Sequence, residues 1–197
     1  MSYSQSVEEE MIWRIVKDLP GPRAVLDIGA FDGVTYSNSR SLIEKGWSGV
    51  LIEPNPWAFA KLTDLYSKHE KVRLINAAVG VETRLINFHE GGVYSTADKS
   101  RMDHFRKETD WREYMVPQIS IDMLVREVPM MADVISIDIE GGSYDVLKVL
   151  PITSWCPHVI VVEHDDRIVE ICKWARSIKY EACSVTPENL LLLRNGL

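Results

Sequence analysis

Short apolar runs alternate with helical spacings along the first part of the chain. The apolar runs at 24–28, 47–52 and 72–75 predict three strands. The segments between them predict helices at about 35–45 and 56–66, the second of which begins at a proline. Because strands that alternate with helices are typical of a parallel sheet covered on both faces, the pattern predicts an α/β fold.

The same alternation returns after residue 133. Runs rich in β-branched residues predict strands that are buried on both faces. Strands are predicted at 134–140, 159–163, 180–185 and 190–193, and helices at 144–150 and 167–177. The last two strands are joined by a short polar turn and therefore predict an antiparallel pair. With an amphipathic helix within residues 1–20, the whole chain, 1–197, is predicted to form one domain.

A long polar interval interrupts this alternation. After a short strand predicted at 84–88, residues 89–116 are crowded with charged side chains. Such a charge run is most often a solvated helix or loop. Because a structureless interval of this length is uncommon inside a compact domain, a lid or substrate loop is the alternative interpretation, with Gly91-Gly92 as its hinge.

The charge balance narrows the class of partner. The 197 residues include 29 acidic and 22 basic side chains, which gives a formal net charge of -7 at pH 7. Because proteins grip nucleic acid through basic side chains on the phosphates, this balance favours a small-molecule or glycan acceptor and no nucleic acid. No apolar run approaches membrane-spanning length and the first residues lack the pattern of a signal peptide, so we expect a cytoplasmic protein with no membrane partner.

Residues 24–33 form the most informative motif, in which a strand runs into the turn Gly29-Ala-Phe-Asp-Gly33. The turn lacks the Gly-x-Gly-x-x-Gly spacing that brings a pyrophosphate onto bare backbone. Carboxylates at Asp27 and Asp32 would repel a phosphate but attract the ammonium and sulfonium groups of S-adenosylmethionine. Glu53 ends the next strand, where a carboxylate can hold ribose hydroxyls. The motif predicts an S-adenosylmethionine site, whereas a mere strand-to-helix turn would need only the two glycines.

Polar groups gather at the predicted carboxyl ends of the strands, where open α/β sheets bind ligands. These positions are Asp27, Gly29, Asp32, Glu53, 76–78, Asp138, Glu140, Glu163, His164 and Asp165. A single acidic residue at such a position is more often a helix cap or a solvated turn. Five segments that deliver polar groups to one edge together predict a binding site.

Several motifs occur in the order and spacing of a known family. They are Leu26-Asp-Ile-Gly-Ala-Phe-Asp-Gly33, Glu53-Pro54, Asn76-Ala-Ala-Val79, Ile119-Ser-Ile-Asp122, Ile137-Asp-Ile-Glu-Gly141 and Val161-Val-Glu-His164. Over about 24–164 the chain resembles the FkbM-type methyltransferases, a class I S-adenosylmethionine-dependent group. The resemblance implies a Rossmann-like fold with a mostly parallel seven-stranded sheet, helices on both faces and a C-terminal antiparallel strand pair. It also implies O-methylation of a hydroxyl on a sugar, a glycan or a secondary metabolite.

The resemblance assigns the methionine end of the cofactor to the glycine turn. Gly29 and Ala30 are expected to approach the methionine carboxylate. Asp27 or Asp32 is expected to face its ammonium group.

The other cofactor contacts are expected at the next strand ends. Glu53, followed by Pro54 in the same motif, is expected to hold both ribose hydroxyls. The border of the adenine is expected to consist of Asn76, Ala77 and Ala78. Asp138 is expected near the transferring methyl group and the acceptor.

Two mechanisms for activating the acceptor are open. An alcohol is a poor nucleophile at neutral pH, so its proton must be removed. His164 is the first candidate for the general base, with Asp138 and Glu140 as further catalytic residues, although a histidine that caps the strand end is an equal alternative. In the second mechanism a divalent cation is bound by Asp138, Glu140 and Glu163. It is less favoured because carboxylates two apart on a strand point to opposite faces unless the chain turns at Glu140.

Acceptor contacts are expected in two places. Glu163 lies at a predicted strand end. Tyr94, Ser95 and Thr96 follow the glycine hinge of the charged interval and would approach the acceptor if that interval closes as a lid.

Three other functions are weighed against methyl transfer. A non-catalytic S-adenosylmethionine-binding accessory module of a larger transferase would keep the pocket without turnover. A nicotinamide dehydrogenase is disfavoured by the glycine turn. Nucleic-acid methylation is disfavoured by the acidic balance and by the lack of an Asn-Pro-Pro-Tyr or Asp-Pro-Pro-Tyr tetrapeptide.

Overall fold

The computed structural model describes residues 2–20, 23–128 and 131–196. The described strands are β1 Ala24–Ile28, β2 Ser48–Ile52, β3 Val72–Ile75, β4 Ala78–Gly80, β5 Arg84–Glu90, β6 Arg112–Ser120, β7 Val134–Ile137, β8 Val159–Glu163, β9 Tyr180–Val185 and β10 Asn189–Arg194. The helices are α1 Glu8–Val16, α2 Arg40–Glu44, α3 Pro56–Tyr66, α4 Lys99–His104, α5 Ile121–Glu127, α6 Ser143–Val149, α7 Ile152–Trp155 and α8 Ile168–Ser177, with a short 3-10 helix at Gly92–Tyr94. In the part of the chain that is described, every helix is too short or too polar to cross a bilayer.

Seven strands form the main sheet in the order β3-β2-β1-β7-β8-β10-β9. The pairs β1/β2, β2/β3, β1/β7 and β7/β8 are parallel, whereas β10 is antiparallel to both β8 and β9. This topology confirms the predicted mostly parallel sheet with a C-terminal antiparallel pair. The strand order reverses between β1 and β7, and a ligand crevice opens at such a reversal.

The central strands are buried on both faces. All five residues of β1 and all five of β8 are buried. Successive side chains of a strand point to opposite faces, so Leu26 and Ile28 join one hydrophobic cluster while Val25 joins the other. This double burial explains why the strands appear in the sequence as continuous apolar runs rather than as alternating patterns.

The helix predicted at 35–45 is shorter in the structure and begins at Arg40. The carboxylate of Asp32 accepts the backbone N–H groups of Val34 and Thr35 and the hydroxyl of Thr35. Tyr36 then adopts a left-handed conformation with φ of 57°. A side chain that captures nearby backbone donors competes with the helix, so the chain stays in turns until residue 39.

The interval 89–116 is not a continuous loop or solvated helix, which corrects that part of the prediction. β5 extends to Glu90, and β6 pairs with it antiparallel from Arg112 onward. β6 is the central strand of a three-stranded sheet, since it also pairs with β4 in parallel. Phe88 and Val116 bury their side chains in the small core of this sheet. Only residues 91–111, called the insertion segment below, leave the two sheets. The strand predicted at 134–140 also ends earlier, at Ile137.

The glycine turn is held against the end of β7. Gly29 has φ of 91°, and a Cβ at this position would lie 1.7 Å from the carbonyl oxygen of Asp138. Gly46, just after α2, has a similar φ of 89°, but a Cβ there would have no neighbour within 4 Å. An alanine would be strained by the left-handed backbone at both positions, but it would overlap neighbouring atoms only at Gly29.

We predict that Gly29→Ala destabilises the protein far more than Gly46→Ala. The left-handed conformation alone should cost about 1–2 kcal/mol in each variant, and the backbone overlap at Gly29 should add about 3 kcal/mol or more. Urea unfolding of both variants beside the parent measures the difference in free energy of unfolding. Equal losses in the two variants would contradict this account of the turn.

Candidate functional site

A cavity of about 380 Å³ opens at the carboxyl ends of β1, β2, β7 and β8. Its walls come from the glycine turn, the strand ends, the three-stranded sheet and the insertion segment. A volume of this size is typical of sites for small molecules and cofactors. The predicted edge of the sheet is therefore a real pocket.

The cavity wall carries a strong excess of acidic side chains. Six acidic residues line it, namely Asp27, Glu53, Asp138, Glu140, Glu163 and Glu188. Among the described lining residues, Arg101 alone is basic. Because like charges repel strongly in a partly dry site, the cavity favours a ligand with positive charge or with many hydrogen-bond donors.

The glycine-turn end of the cavity contains Asp27, Gly29 and Ala30, three of the residues expected to contact the cofactor. The hydroxyl of Ser39 donates to the buried carboxylate of Asp27 at 2.5 Å. Burial raises the pKa of Asp27 to about 6 against this hydrogen bond. The N–H groups of Gly29 and Ala30 both donate to the carbonyl of Ile52, so the turn is tied to β2 and offers a close backbone surface rather than free donors.

Asp32 is not among the residues that line the cavity, whereas Asp27, the other residue expected to face the ammonium group, is one of them. The carboxylate of Asp32 is occupied by the turn that precedes α2. Asn38 lines the cavity instead, with 6% of its surface exposed. Its Nδ2 donates to the hydroxyl of Ser136 at 3.2 Å, while its Oδ1 has no partner among the described residues. In the sequence, the only indication of Asn38 is the run of polar residues at 35–39 inside the segment predicted to be helical.

Glu53 lies at the end of β2 with 4% of its surface exposed. One carboxylate oxygen accepts the N–H of Phe31 at 2.9 Å, and the other accepts the N–H of Asn55 at 2.7 Å. Burial raises the pKa of Glu53 to about 7 in spite of these bonds. Since a carboxylate oxygen has two lone pairs, each oxygen keeps one for a ligand hydroxyl.

Of the residues that follow Glu53 and β3, some line the cavity and one holds the backbone beside it. Pro54, Ala77 and Ala78 line the cavity. Asn76 does not line it, because its side-chain amide donates to the carbonyls of Glu53 and Pro54. The side-chain amide of Asn76 therefore fixes the chain just after β2.

Three carboxylates meet at the other end of the cavity. The chain turns sharply after β7, and Glu140 adopts a left-handed conformation with φ of 53°. As a result one carboxylate oxygen each of Asp138, Glu140 and Glu163 lies within 4.8 Å of the others. The turn thus overcomes the objection that residues two apart on a strand point to opposite faces.

This acidic cluster contains its own cation. The guanidinium of Arg101 pairs with Glu140 and with Glu163, the latter at 2.7 Å, and lies 3.4 Å from Asp165. Burial, followed by the charge of Glu140, raises the pKa of Asp138 to about 7. Sequence reasoning missed Arg101, because it lies among many charged residues and is 39 and 62 positions from its partners.

His164 does not line the cavity, which corrects its predicted place on the rim. His164 is 7% exposed, and its ring Nδ1 accepts the backbone N–H of Asp166. The backbone N–H of His164 donates to the carbonyl of Glu188. Tyr94 and Ser95 do line the cavity, whereas Thr96 is buried and donates its hydroxyl to the carbonyl of Glu140. The ring of His164 thus has the contact of a strand-end cap, the alternative weighed for it from the sequence, while Asp138 is among the carboxyl groups that line the cavity.

Solved methyltransferases share this fold along nearly the whole chain. The precorrin-6y C5,15-methyltransferase of Geobacter metallireducens is 13% identical, with a TM-score of 0.52 over 95% of this chain and 86% of that one. A Staphylococcus aureus protein provisionally named caffeoyl-CoA O-methyltransferase is 11% identical, with a TM-score of 0.57 over 98% and 86%. An rRNA methylase of Streptococcus thermophilus is 9% identical, with a TM-score of 0.50 over 94% and 92%. The fold is the Rossmann-like fold of class I methyltransferases, as predicted.

The family is more specific than the fold. The methyltransferase FkbM domain matches residues 27–184, so the chain belongs to this family, as predicted. No curated protein matches the chain. Family and fold together support S-adenosylmethionine-dependent methyl transfer as the general activity.

The raised pKa of Glu53 predicts how stability depends on pH. A carboxyl that titrates near pH 7 when folded and near pH 4.5 when unfolded binds more protons in the folded state between these values. Stability therefore falls as the pH rises from 5 to 8. We expect the cofactor-free protein to lose on the order of 2 kcal/mol across this range through Glu53, with Asp27 and Asp138 acting in the same direction.

Urea unfolding at pH 5.5 and pH 8 tests this with two variants. Glu53→Gln should reduce the difference between the two pH values, since glutamine does not titrate. Glu70→Gln, at an exposed position just before β3, is the control and should leave the difference unchanged. An undiminished pH dependence in Glu53→Gln would show that the buried carboxyl of Glu53 is not its source.

Proposed function

We propose that the protein transfers a methyl group from S-adenosylmethionine to a hydroxyl of a sugar, a glycan or a small metabolite. One observation carries the proposal: a single cavity is lined at one end by Asp27 and Glu53 and at the other by Asp138, Glu140 and Glu163. The first end suits the cofactor and the second suits an acceptor. Family membership supplies the reaction class.

The residues present fit S-adenosylmethionine. The unpartnered Oδ1 of Asn38 and the carboxylate of Asp27 are acceptors for an ammonium group. Glu53 keeps lone pairs for two ribose hydroxyls, and Ala77 and Ala78 provide a small apolar surface for adenine. An acidic wall with one arginine also disfavours a diphosphate, which is why a nicotinamide cofactor fits poorly.

Asp138 is our choice for the proton acceptor. Bound S-adenosylmethionine supplies a methyl group on a positively charged sulfur. The acceptor oxygen must lose its proton as it takes that methyl group, and the proton passes to a carboxylate oxygen of Asp138. A base with a pKa of about 7 is suited to this step, because it is half ionised at neutral pH and still basic enough to take the proton.

The acceptor end favours a neutral polyhydroxyl compound. Carboxylates accept hydrogen bonds, so Glu140 and Glu163 can orient neighbouring hydroxyls, whereas an anionic acceptor would be repelled. Tyr94 and Phe105 stack at 4.8 Å between ring centroids and both line the cavity. Their apolar surface can cover the C–H face of a sugar ring.

Calorimetry and turnover test the proposed function. We expect S-adenosylhomocysteine to bind, and S-adenosylmethionine to be consumed with neutral monosaccharides and their methyl glycosides. Asp138→Asn should lower kcat by about 10²–10⁴-fold, while the exposed control Asp110→Asn should not change it. In the parent, kcat should rise with pH through about 7 as Asp138 ionises.

Two results would contradict this assignment. Absence of S-adenosylhomocysteine binding would refute the cofactor, and full activity of Asp138→Asn would refute the base. Tight binding without turnover of any acceptor would instead favour the non-catalytic binding module.

Chelation tests the role of a metal. Because Arg101 already supplies positive charge to Glu140 and Glu163, we expect activity to survive dialysis against EDTA. Loss of activity that Mg²⁺ restores would mean that a divalent cation takes part in the reaction.

A further inference from the structure

Arg101 joins the insertion segment to the catalytic edge of the main sheet. It belongs to α4, while Glu140 follows β7 and Glu163 ends β8. Its guanidinium pairs with both carboxylates and its side chain is 26% exposed. The guanidinium also lies 5.3 Å from the ring centre of Phe105, which belongs to the same segment and lines the cavity. One side chain therefore connects three elements at the acceptor end.

The insertion segment meets the 138–142 turn at a second point. The hydroxyl of Thr96 donates to the carbonyl of Glu140, and Asp98 lies within 3.1 Å of a Cβ built on Gly141. The N–H of Glu140 donates to the carboxylate of Glu163 at 2.9 Å. The segment and the acidic cluster are therefore packed as one unit, in which Arg101 makes the charged contact.

Charge explains why this contact matters. Asp138, Glu140 and Glu163 lie close together in a largely buried place, where three ionised carboxylates repel one another. The guanidinium of Arg101 offsets this repulsion and, being planar with several donors, fixes the direction of two carboxylates at once. Without it the repulsion among the three groups would be larger, and they would tend to move apart.

We propose that Arg101 is a positioning residue that assembles the acceptor site by docking the insertion segment on Glu140 and Glu163. The docked segment closes the cavity with Tyr94 and Phe105 and holds the carboxyl groups of Glu140 and Glu163 in a fixed orientation. The inference rests on the proposed methyl transfer for its kinetic consequence only. It places acceptor recognition under the control of the insertion segment.

The test compares Arg101→Met and Arg101→Lys with Arg106→Met. Arg106 lies in the same segment, is exposed and is outside the site, so it is the matched control. For Arg101→Met we expect amide hydrogen exchange within residues 91–111 to become at least tenfold faster, with S-adenosylhomocysteine affinity within threefold of the parent. Exchange elsewhere in the main sheet should be unchanged, which separates undocking from general unfolding.

Kinetics with the neutral monosaccharide that is turned over best give the second readout. Arg101→Met should lower kcat over KM for that sugar at least 100-fold while leaving KM for S-adenosylmethionine nearly unchanged. Arg101→Lys should recover part of this loss, because an ammonium can pair with one carboxylate. Arg101→Met combined with Glu140→Gln should be less impaired than the two separate losses multiplied together, since both remove the same contact.

Unchanged exchange of residues 91–111 in Arg101→Met would overturn the docking role, and unchanged kcat over KM would overturn the positioning role. If the parent neither binds S-adenosylhomocysteine nor turns over its donor, the proposed function fails. The exchange measurement still decides in that case whether Arg101 holds the segment.

Discussion

Negative charge gathered at one edge of the sheet is the constraint on which the rest of the structure depends. Parallel strands end on the same side, so Asp27, Glu53, Asp138 and Glu163 are brought together by topology. Buried carboxylates destabilise a protein unless hydrogen bonds or cations compensate them. Asp27 has a serine hydroxyl, Glu53 has two backbone amides, and Glu163 has a hydroxyl, an amide and a guanidinium. Most of these hydrogen-bond donors belong to the segments that follow the strands around the cavity.

The hydrogen bonds to these buried carboxylates do not fully offset the cost of their burial, and the two that remain under-compensated, Asp27 and Glu53, line the cavity. Neutral partners do not cancel the burial of Asp27 and Glu53, whose pKa values remain raised to about 6 and about 7. A ligand with an ammonium group and two hydroxyls would supply the missing donors. Ligand binding and the stability of this edge are therefore coupled, since whatever binds the folded state preferentially also stabilises it.

The sequence predicts the elements that depend on local or repeated patterns. Continuous apolar strands, the glycine turn and the position of Glu53 follow from periodicity and spacing, because burial on both faces and a left-handed turn restrict the residue types allowed. One error comes from local hydrogen bonding, because the Asp32 carboxylate captures backbone donors and the helix predicted at 35–45 begins only at Arg40. The ring of His164 caps its own turn, which is the alternative that the sequence left open for it. The part of β6 inside the charged interval, 112–116, was missed because its many exposed positions make it look like a loop.

The two ends of the cavity differ in how far apart their contacts lie along the chain. Glu53 meets amides 22 and 2 residues away, within one strand-turn-strand unit, so the cofactor end can be recognised from a short motif. Arg101 meets its carboxylates across 39 and 62 residues, and no periodicity records such a pairing. That end of the cavity is thus assembled by the insertion segment together with the ends of β7 and β8. Because sheet topology is what the solved methyltransferases have in common with this chain, likeness to them shows the fold alone, whereas the reaction class rests on the family match.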